Sequence, residues 1–348
     1  MADMNIAILG LGRLGYAHAK NLKENVKGAN LQLVVDPIVE RAEQVAKELG
    51  IENWSSNPDE ALSSDSIDAV VIVTPTSTHG EMIKKAAKHK KHVFVEKPLT
   101  ETIEEASEVI DVVEQENIIC QVGFMRRFDP AYHNAKLQID AGHIGEPIYF
   151  KGITRDQGSP PAEFIKHSGG IFLDCSIHDY DIARYLMNSE IVNVSAHGKI
   201  LNNPFMAEFN DVDQGISYVE FASGAIGDIE ASRNSPYGHD IRTEIVGTEG
   251  TLMIGTLRNQ NVTLLNKHGS NYDIIPDFQT RFEDAYRIEL EEFIKTIQAE
   301  EKPRVTALDS KINMQIALAA TDSFRNAGKN VKISLGNKGV NESDKIKL

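Results

Sequence analysis

Short apolar runs alternate with amphipathic stretches over the first third of the chain. The apolar runs predict five strands, at residues 5–9, 31–35, 69–73, 92–95 and 118–122. The amphipathic stretches predict helices at residues 15–27, 40–49, 81–89 and 103–116. The strand runs are apolar throughout rather than alternating, which is typical of parallel strands buried on both faces. The pattern therefore predicts an α/β fold, with a doubly wound Rossmann domain over residues 1–123.

The pattern changes after residue 123. One helix is predicted within residues 169–187, and two more at residues 282–300 and 307–327. Strand-like runs separated by glycine-containing turns occupy residues 191–199, 214–221, 225–232, 242–246, 251–254 and 262–265. Short turns between such runs indicate a mainly antiparallel sheet. We therefore expect an α+β domain over residues 124–336 and a polar tail over residues 337–348.

Composition narrows the function classes. The 348 residues have a formal net charge of −15, which disfavours binding to nucleic acid and to anionic membrane surfaces. No apolar run is long enough to cross a bilayer, and the N-terminus lacks the basic start of a signal peptide. Two cysteines, Cys120 and Cys175, provide no disulfide framework. We expect a cytoplasmic globular protein.

A glycine fingerprint lies between the first strand and the first helix. Gly10-Leu-Gly12-Arg-Leu-Gly15 places one glycine at the tight turn, one where the backbone approaches a pyrophosphate, and one where the helix packs on the strand. The helix N-terminus then supplies amide donors to the phosphates. A tight strand–helix turn that binds nothing is the alternative explanation of the glycines.

Asp36 makes a dinucleotide site the better explanation. It ends the second strand, 36 − 15 = 21 residues after the third glycine, where a carboxylate accepts hydrogen bonds from ribose hydroxyls. The residue after it is Pro37, and Arg41 lies one helical turn further on. Since a carboxylate repels a 2′-phosphate, we expect NAD rather than NADP as the cofactor.

Four further motifs are Thr74-Pro-Thr-Ser-Thr-His79, Val93-Phe-Val-Glu-Lys-Pro98, Gln121-Val-Gly-Phe-Met-Arg-Arg-Phe128 and Gly169-Gly-Ile-Phe-Leu-Asp-Cys-Ser-Ile-His178. The first two resemble internal signatures of the glucose–fructose oxidoreductase / inositol dehydrogenase / rhizopine catabolism (Gfo/Idh/MocA) family. The other two resemble segments of its inositol 2-dehydrogenases, to which the chain is most similar. The resemblance runs from the first strand through Tyr286. It implies a Rossmann domain followed by an open, mainly antiparallel sheet that serves as a subunit interface, commonly in tetramers.

The resemblance also assigns residues to roles. It implies a catalytic lysine, aspartate and histidine, which correspond to Lys97, Asp174 and His178. Together with the fingerprint, it predicts an NAD site made of Gly10, Gly12, Arg13, Leu14, Gly15, Asp36, Thr74, Thr76, His79, Glu96 and Lys97.

Lys97 lies just past an apolar strand and before Pro98, and a peptide bond before proline is the kind that adopts the cis form. This places the ammonium group at the carboxyl end of the sheet, where α/β folds bind ligands and where it can stabilise an oxyanion. A solvated surface lysine is the alternative.

Asp174 and His178 are four residues apart on a predicted helix and would share one face with Asp181. A carboxylate beside an imidazole fixes its tautomer and prepares it as a general base. The alternatives are a surface ion pair and a zinc site, and we expect no metal because no third ligand is evident.

Further polar and aromatic residues are candidates for binding the polyol. They are Arg127, Arg155, Asp156, Gln157, Asp181, Tyr237 and Tyr286. A salt bridge between domains is the alternative for Arg127, a plain polar loop for residues 155–157, and core packing for the tyrosines.

The resulting hypothesis is an NAD-dependent inositol 2-dehydrogenase. It would oxidise myo- or scyllo-inositol to the 2-keto inositol by hydride transfer to NAD, as a cytoplasmic homotetramer. One alternative is a dehydrogenase of an aldose or another sugar. Another is a non-catalytic regulator that senses NAD on the same fold.

Overall fold

Two compact units make up the chain in a computed structural model that describes residues 3–334. The first unit extends to Asp129 and also includes Asp284–Lys311, and the second contains Pro130–Glu283 and residues 312–334. The predicted polar tail, residues 337–348, lies outside the described residues.

The first unit contains a six-stranded parallel sheet. Its strands are β1 (Met4–Leu9), β2 (Ala29–Val35), β3 (Asn53–Ser55), β4 (Ala69–Ile72), β5 (His92–Glu96) and β6 (Cys120–Gly123). Its helices in the first segment are α1 (Arg13–Glu24), α2 (Val39–Leu49), α3 (Asp59–Leu62), α4 (His79–Lys88) and α5 (Ile103–Glu116). The strand order β3-β2-β1-β4-β5-β6 is that of the Rossmann fold, as predicted.

The second unit contains a seven-stranded, mainly antiparallel sheet, which confirms the predicted fold class. Its strands are β7 (Pro147–Arg155), β8 (Ile191–Lys199), β9 (Gln214–Phe221), β10 (Ile226–Ser232), β11 (Asp240–Gly247), β12 (Thr251–Ile254) and β15 (Val331–Lys332), in the order β12-β11-β7-β10-β9-β8-β15. The β7–β10 pair is parallel, and the other pairs are antiparallel. The run predicted at 262–265 instead forms a separate ribbon, β13 (Leu264–Asn266) with β14 (Gly269–Asn271).

The remaining helices follow β6 in the chain. They are α6 (Pro130–Asp140), α7 (Ala162–His167), α8 (Ile171–Asp174), α9 (Ile177–Met187), α10 (Phe278–Arg281), α11 (Glu283–Ala299) and α12 (Ala307–Arg325). None of the described helices is long and apolar enough to cross a membrane.

Helix α11 was predicted to belong to the second domain, residues 124–336, but it belongs to the first unit. Its apolar face, with Leu290 and Phe293, belongs to the same buried cluster as Ile6 and Phe94 of the parallel sheet. Because burial of this face requires a partner, the segment from Asp284 to Lys311 returns to the first unit.

The single helix predicted at residues 169–187 is two helices, α8 and α9. The ladder of backbone hydrogen bonds changes between them: Ser176 donates to Ile171, five residues back, whereas Asp179 donates to Ser176, three residues back. Asp174 therefore ends one helix, and His178 lies in the first turn of the next.

One face of the antiparallel sheet is open. Every second residue of β9 is buried, and on this covered face the hydroxyl of Ser217 forms a hydrogen bond with the hydroxyl of Tyr180 in α9. The opposite face exposes apolar side chains, among them Ile216, Tyr218 and Ile226.

Candidate active site and cofactor-binding site

The glycine turn between β1 and α1 is shaped for close approach. Gly10 has a φ of +90°, and a Cβ there would lie 2.6 Å from the carbonyl oxygen of Val73. A Cβ at Gly15 would lie 2.0 Å from the carbonyl oxygen of Gly10. A Cβ at Gly12, by contrast, meets no described atom within 4 Å, so this backbone is open to a phosphate.

Helix α1 begins directly at this turn. Its N-cap is Gly12, and no described side chain caps its first amides, which leaves them available to an anion. Arg13 is exposed at the first helical position and Leu14 is half-buried beside it. The glycines and the uncapped helix together fit the pyrophosphate of a dinucleotide.

Asp36 lies at the end of β2 with 2% of its surface exposed. Its carboxylate accepts the amide of Leu11 at 2.9 Å and the amide of Ile38 at 2.9 Å. Arg41 forms an ion pair with the Asp36 Oδ2 atom at 3.2 Å, and the arginine side chain is 43% exposed. The carboxylate is thus held firmly beside the glycine turn.

The segment after β4 contains Thr74, Thr76 and His79. Thr76 lies in a single 3₁₀ turn, while His79 starts α4 and is 1% exposed. The Nδ1 atom of His79 is 3.0 Å from the carbonyl oxygen of Pro98, and Nε2 is 2.9 Å from that of Thr74. Burial lowers the pKa of His79, and the contacts with the two carbonyls oppose that shift. His79 therefore joins the ends of β4 and β5.

Lys97 follows β5 and is half-buried. The Lys97–Pro98 bond is cis. The Lys97 amide donates to the Glu96 Oε2 atom at 3.3 Å, and Glu96 itself is 8% exposed. The backbone of the candidate catalytic lysine is thus tied to the carboxylate of its neighbour.

A cluster that the sequence did not reveal lies behind Glu96. The Glu96 Oε1 atom is 2.8 Å from Nε2 of His18. Glu289 of α11 has a carboxylate oxygen within 4.8 Å of each of these two side chains. Tyr286, predicted to bind substrate, is 7% exposed, and its ring meets that of His18 edge-on at 5.6 Å. Burial raises the pKa of Tyr286, and the charge of Glu96 raises it further.

Arg127 is also buried, with 6% of its surface exposed. Its guanidinium donates to the Arg304 carbonyl at 3.1 Å and to the Asp309 carboxylate at 3.2 Å. The salt bridge considered for this residue is therefore present, although it lies within the first unit rather than between domains.

In the second unit, Asp156 and Asp174 lie beside a buried arginine. Arg233 follows β10, is 1% exposed and donates to the Asp174 Oδ2 atom at 3.1 Å. Burial alone would lower the pKa of Arg233, but interactions with Cys175 and Asp174 raise it. The guanidinium therefore stays charged and holds the Asp174 carboxylate. The sequence offered no signal for Arg233 beyond its place at a strand end.

Asp156 follows β7 directly. Its Oδ1 atom is 3.2 Å from Nδ1 of His239, and its Oδ2 atom is 3.8 Å from the Cys175 sulfur. Gln157, next in the chain, is exposed. Strand ends thus bring Asp156 and His239 to the segment that contains Asp174.

The shared helical face predicted for Asp174, His178 and Asp181 is not formed, because Asp174 belongs to α8 and the others to α9. His178 is half-buried. Asp181 is 0% exposed and accepts the side-chain amide of Asn313 at 2.8 Å. This contact places Asp181 in the interior of the second unit.

Arg155 and Tyr237 are brought together by an ion-pair network. Arg155 binds Glu230 through Nε at 2.9 Å and Nη2 at 2.7 Å, and its Nη1 atom is 3.1 Å from the Tyr237 hydroxyl. Tyr237 donates in turn to Asp240 at 2.8 Å. The bonds to Arg155 lower the pKa of Glu230. This network engages the guanidinium without a ligand.

Comparison with known proteins gives two family matches and close relatives. Residues 4–124 match the NAD-binding Rossmann fold of the Gfo/Idh/MocA oxidoreductase family, and residues 136–333 match its C-terminal alpha/beta domain. Scyllo-inositol 2-dehydrogenase (NAD(+)) of Bacillus subtilis (strain 168) is 64% identical over 324 residues, covering 93% of this chain and 95% of the relative. Myo-inositol 2-dehydrogenase of Thermotoga maritima is 36% identical, covering 92% and 96%.

A solved structure agrees with these matches. Scyllo-inositol dehydrogenase from Lactobacillus casei, with bound NAD(H) and scyllo-inositol, superposes with a TM-score of 0.89 at 33% identity, covering 95% of this chain and 99% of that one. The glycine turn, the buried Asp36 and both matched domains lead to one assignment. The chain belongs to the Gfo/Idh/MocA oxidoreductase family and has that family's NAD-binding Rossmann domain.

Proposed function

We propose that the protein is an NAD-dependent inositol 2-dehydrogenase that oxidises one ring hydroxyl of an inositol to the 2-keto inositol. The main support is the 64% identity, across both domains, to a scyllo-inositol 2-dehydrogenase (NAD(+)). Identity to the myo-inositol enzyme of Thermotoga maritima is 36%. Scyllo-inositol is therefore the first substrate to test, and myo-inositol the second.

The chemistry assigned to this chain's residues follows from their types and positions. Bound NAD supplies the hydride acceptor. His178 acts as the general base that takes the hydroxyl proton, and Lys97 donates a hydrogen bond to the same oxygen as it becomes a carbonyl. Asp174, held by the buried Arg233 at 3.1 Å, supplies the negative charge that stabilises the protonated imidazole.

The structure changes which side chains we assign to substrate. Asp156 and Gln157 follow β7 and remain candidates for binding inositol hydroxyls, and His239 joins them through its contact with Asp156. Arg155 and Tyr237 instead stabilise the sheet through Glu230 and Asp240. Asp181 and Tyr286 are interior residues of their units, and we do not assign them to substrate.

Steady-state kinetics with NAD and scyllo-inositol test the assignment. Lys97→Ala and His178→Asn are each expected to lower kcat by about 100-fold or more, whereas NAD affinity stays within about threefold, because general-base and oxyanion interactions act in the transition state. Two exposed residues of the same types, Lys88 and His143, provide matched controls. Wild-type turnover in both test variants would refute the roles.

The alternatives make different predictions in the same assay. A dehydrogenase of another sugar would reduce NAD with an aldose such as glucose or xylose and leave both inositols untouched. A regulator that senses NAD would bind the cofactor and turn over nothing on the whole panel. The complete set of Lys97, Asp174 and His178 favours the enzyme, because a sensor requires no general base.

A homotetramer located in the cytoplasm completes the proposal. The open face of the antiparallel sheet exposes Ile216, Tyr218 and Met253 by 47%, 41% and 82%, which is an apolar surface suited to a second copy of the chain. Both cysteines are free thiols, in keeping with a reducing compartment. Light scattering is expected to give the mass of four chains. Ile216→Asp is expected to lower this mass, whereas the control variant Leu265→Asp, on the separate ribbon, is expected to leave it unchanged.

A further inference from the structure

Three buried side chains of the first unit form a cluster that the chemistry above does not use. His18 from α1, Glu96 from β5 and Glu289 from α11 have their donor atoms within 4.8 Å of one another. Glu289 is 0% exposed, and neither of its carboxylate oxygens has a hydrogen-bond partner among the described residues. Two carboxylates this close in a dry interior require a proton or a cation to compensate their charge.

Hydrogen-bond roles distinguish the two acids. Glu96 has a donor for each oxygen, the Nε2 atom of His18 at 2.8 Å and the amide of Lys97 at 3.3 Å, as an ionised carboxylate requires. Within residues 3–334, Glu289 has no such donor on either oxygen. Burial raises the pKa of Glu289 well above its usual range, and the charge of Glu96 raises it further. Glu289 is therefore the acid that retains its proton.

The Glu96 carboxylate is closely packed as well. A Cβ on Gly123, its partner in β6, would lie 3.0 Å from the carboxylate atoms, so the group rests directly on this backbone. His18 and Glu289 also lie within 4.8 Å of this carboxylate. A change in either neighbour would shift the carboxylate, and with it the peptide that leads into Lys97.

We propose that Glu289 is a positioning residue of the dehydrogenase, which as a neutral carboxylic acid fixes Glu96 and, through the bond from Glu96 to the Lys97 amide, the catalytic lysine. This inference rests on the proposed role of Lys97. The candidate acceptors for the Glu289 proton are the Glu96 carboxylate and the imidazole of His18, whose atoms lie within 4.8 Å of it. The titratable and charged groups that surround it are His18, Glu96 and Tyr286, with Arg13 and Arg126 acting on Tyr286.

Two variants of Glu289 separate its polarity from its volume. Glu289→Gln keeps the size and a neutral hydrogen-bond donor, so kcat with scyllo-inositol is expected to stay within about threefold of wild type. Glu289→Leu removes the donor, and a shift of the Lys97 peptide is expected to lower kcat by about 10- to 100-fold while NADH affinity changes less than about threefold. Glu292→Gln and Glu292→Leu, on the same helix, are the controls.

Energy transfer from the single tryptophan, Trp54, to NADH reports cofactor binding and folding in each variant. Wild-type kcat in Glu289→Leu, or an equal loss in Glu289→Gln, would overturn the proposal. So would a stoichiometric metal in the purified wild type whose removal by EDTA abolishes activity and which Glu289→Gln lacks. If Glu289→Leu does not bind NADH, the test is the pH dependence of the free energy of unfolding of Glu289→Gln. The proposal is overturned if this variant keeps the wild-type pH dependence, and it is supported if the variant loses that dependence.

Failure of the proposed function would be recognised separately. A wild type that binds NADH but oxidises no inositol contradicts the assigned activity. The protonation of Glu289 remains measurable in that protein, because the pH dependence of its stability requires no turnover.

Discussion

Removal of the charge at Asp36 is expected to change the cofactor preference. Asp36→Asn keeps the side-chain size and one oxygen, which can accept one of the two amides, that of Leu11 or that of Ile38. The substitution removes the charged acceptor for the ribose hydroxyls. Because hydrogen bonds to a charged group contribute about 1.5–3 kcal/mol, NAD binding should weaken by about 10- to 150-fold.

The same change should improve NADP as a substrate. In the wild type, the carboxylate repels a 2′-phosphate and engages the guanidinium of Arg41 at 3.2 Å. Once Asp36 is neutral, that half-exposed guanidinium can bind the phosphate, and charge-assisted pairs of this kind are bidentate. We expect kcat/KM for NADP to rise by at least about tenfold.

A double-mutant cycle tests the mechanism rather than the outcome alone. Initial rates with NAD and NADP at saturating scyllo-inositol would be measured for wild type, Asp36→Asn, Arg41→Ala and the double variant. The gain with NADP should disappear in the double variant, since Arg41 is then missing. An Asp36→Asn enzyme that keeps the wild-type ratio of NAD to NADP would refute the role of the carboxylate.

Three other predictions follow from burial and packing. Gly15→Ala should lower the melting temperature and abolish NAD binding, because its Cβ would lie 2.0 Å from the Gly10 carbonyl, whereas Gly12→Ala should weaken NAD binding at an unchanged melting temperature. The raised pKa of Glu289 means that above about pH 4.5 the folded protein holds a proton that the unfolded chain releases, so stability falls with rising pH until the folded pKa is passed. Urea titrations should show this slope, about 1.4 kcal/mol per pH unit, in wild type and not in Glu289→Gln. Burial raises the pKa of Cys120 to about 12, so iodoacetamide at pH 8 should leave this thiol unmodified in the folded protein, and its rapid modification would contradict the packing.

The parallel sheet was predictable because its strands are buried on both faces. Each residue of β4 is 0% exposed, and such a strand has no polar face to interrupt the apolar run. Strand β3 was missed because only three residues, two of them exposed, form this edge. The break between α8 and α9 was missed because the apolar spacing continues across it, and spacing alone does not register a change in the backbone hydrogen bonds.

Site residues were predictable where a motif fixes the backbone, and less so where tertiary contacts decide. The glycine turn and Asp36 lie in one local segment, so their spacing in the sequence defines their geometry. Arg155 illustrates the opposite case. Its polar type suggested a ligand contact, but strand pairing placed it beside Glu230, and nothing in the local sequence specifies that partner.

The burial of Glu289 can be inferred from its spacing to apolar and aromatic residues along α11. Tyr286, Leu290 and Phe293 are spaced at the three- and four-residue intervals of a buried stripe, and Glu289 falls on that stripe rather than beside Glu291 and Glu292 on the wetter side. A charged acid there would require a cation, and the carboxylate and imidazole within 4.8 Å of it, those of Glu96 and His18, pair with each other. Helical register thus indicates that the residue is buried, and hydrogen-bond roles then indicate that it is neutral. Neither argument by itself leads to Lys97; the step from a buried acid to the catalytic lysine requires the bond from Glu96 to the Lys97 amide, which only the folded chain provides.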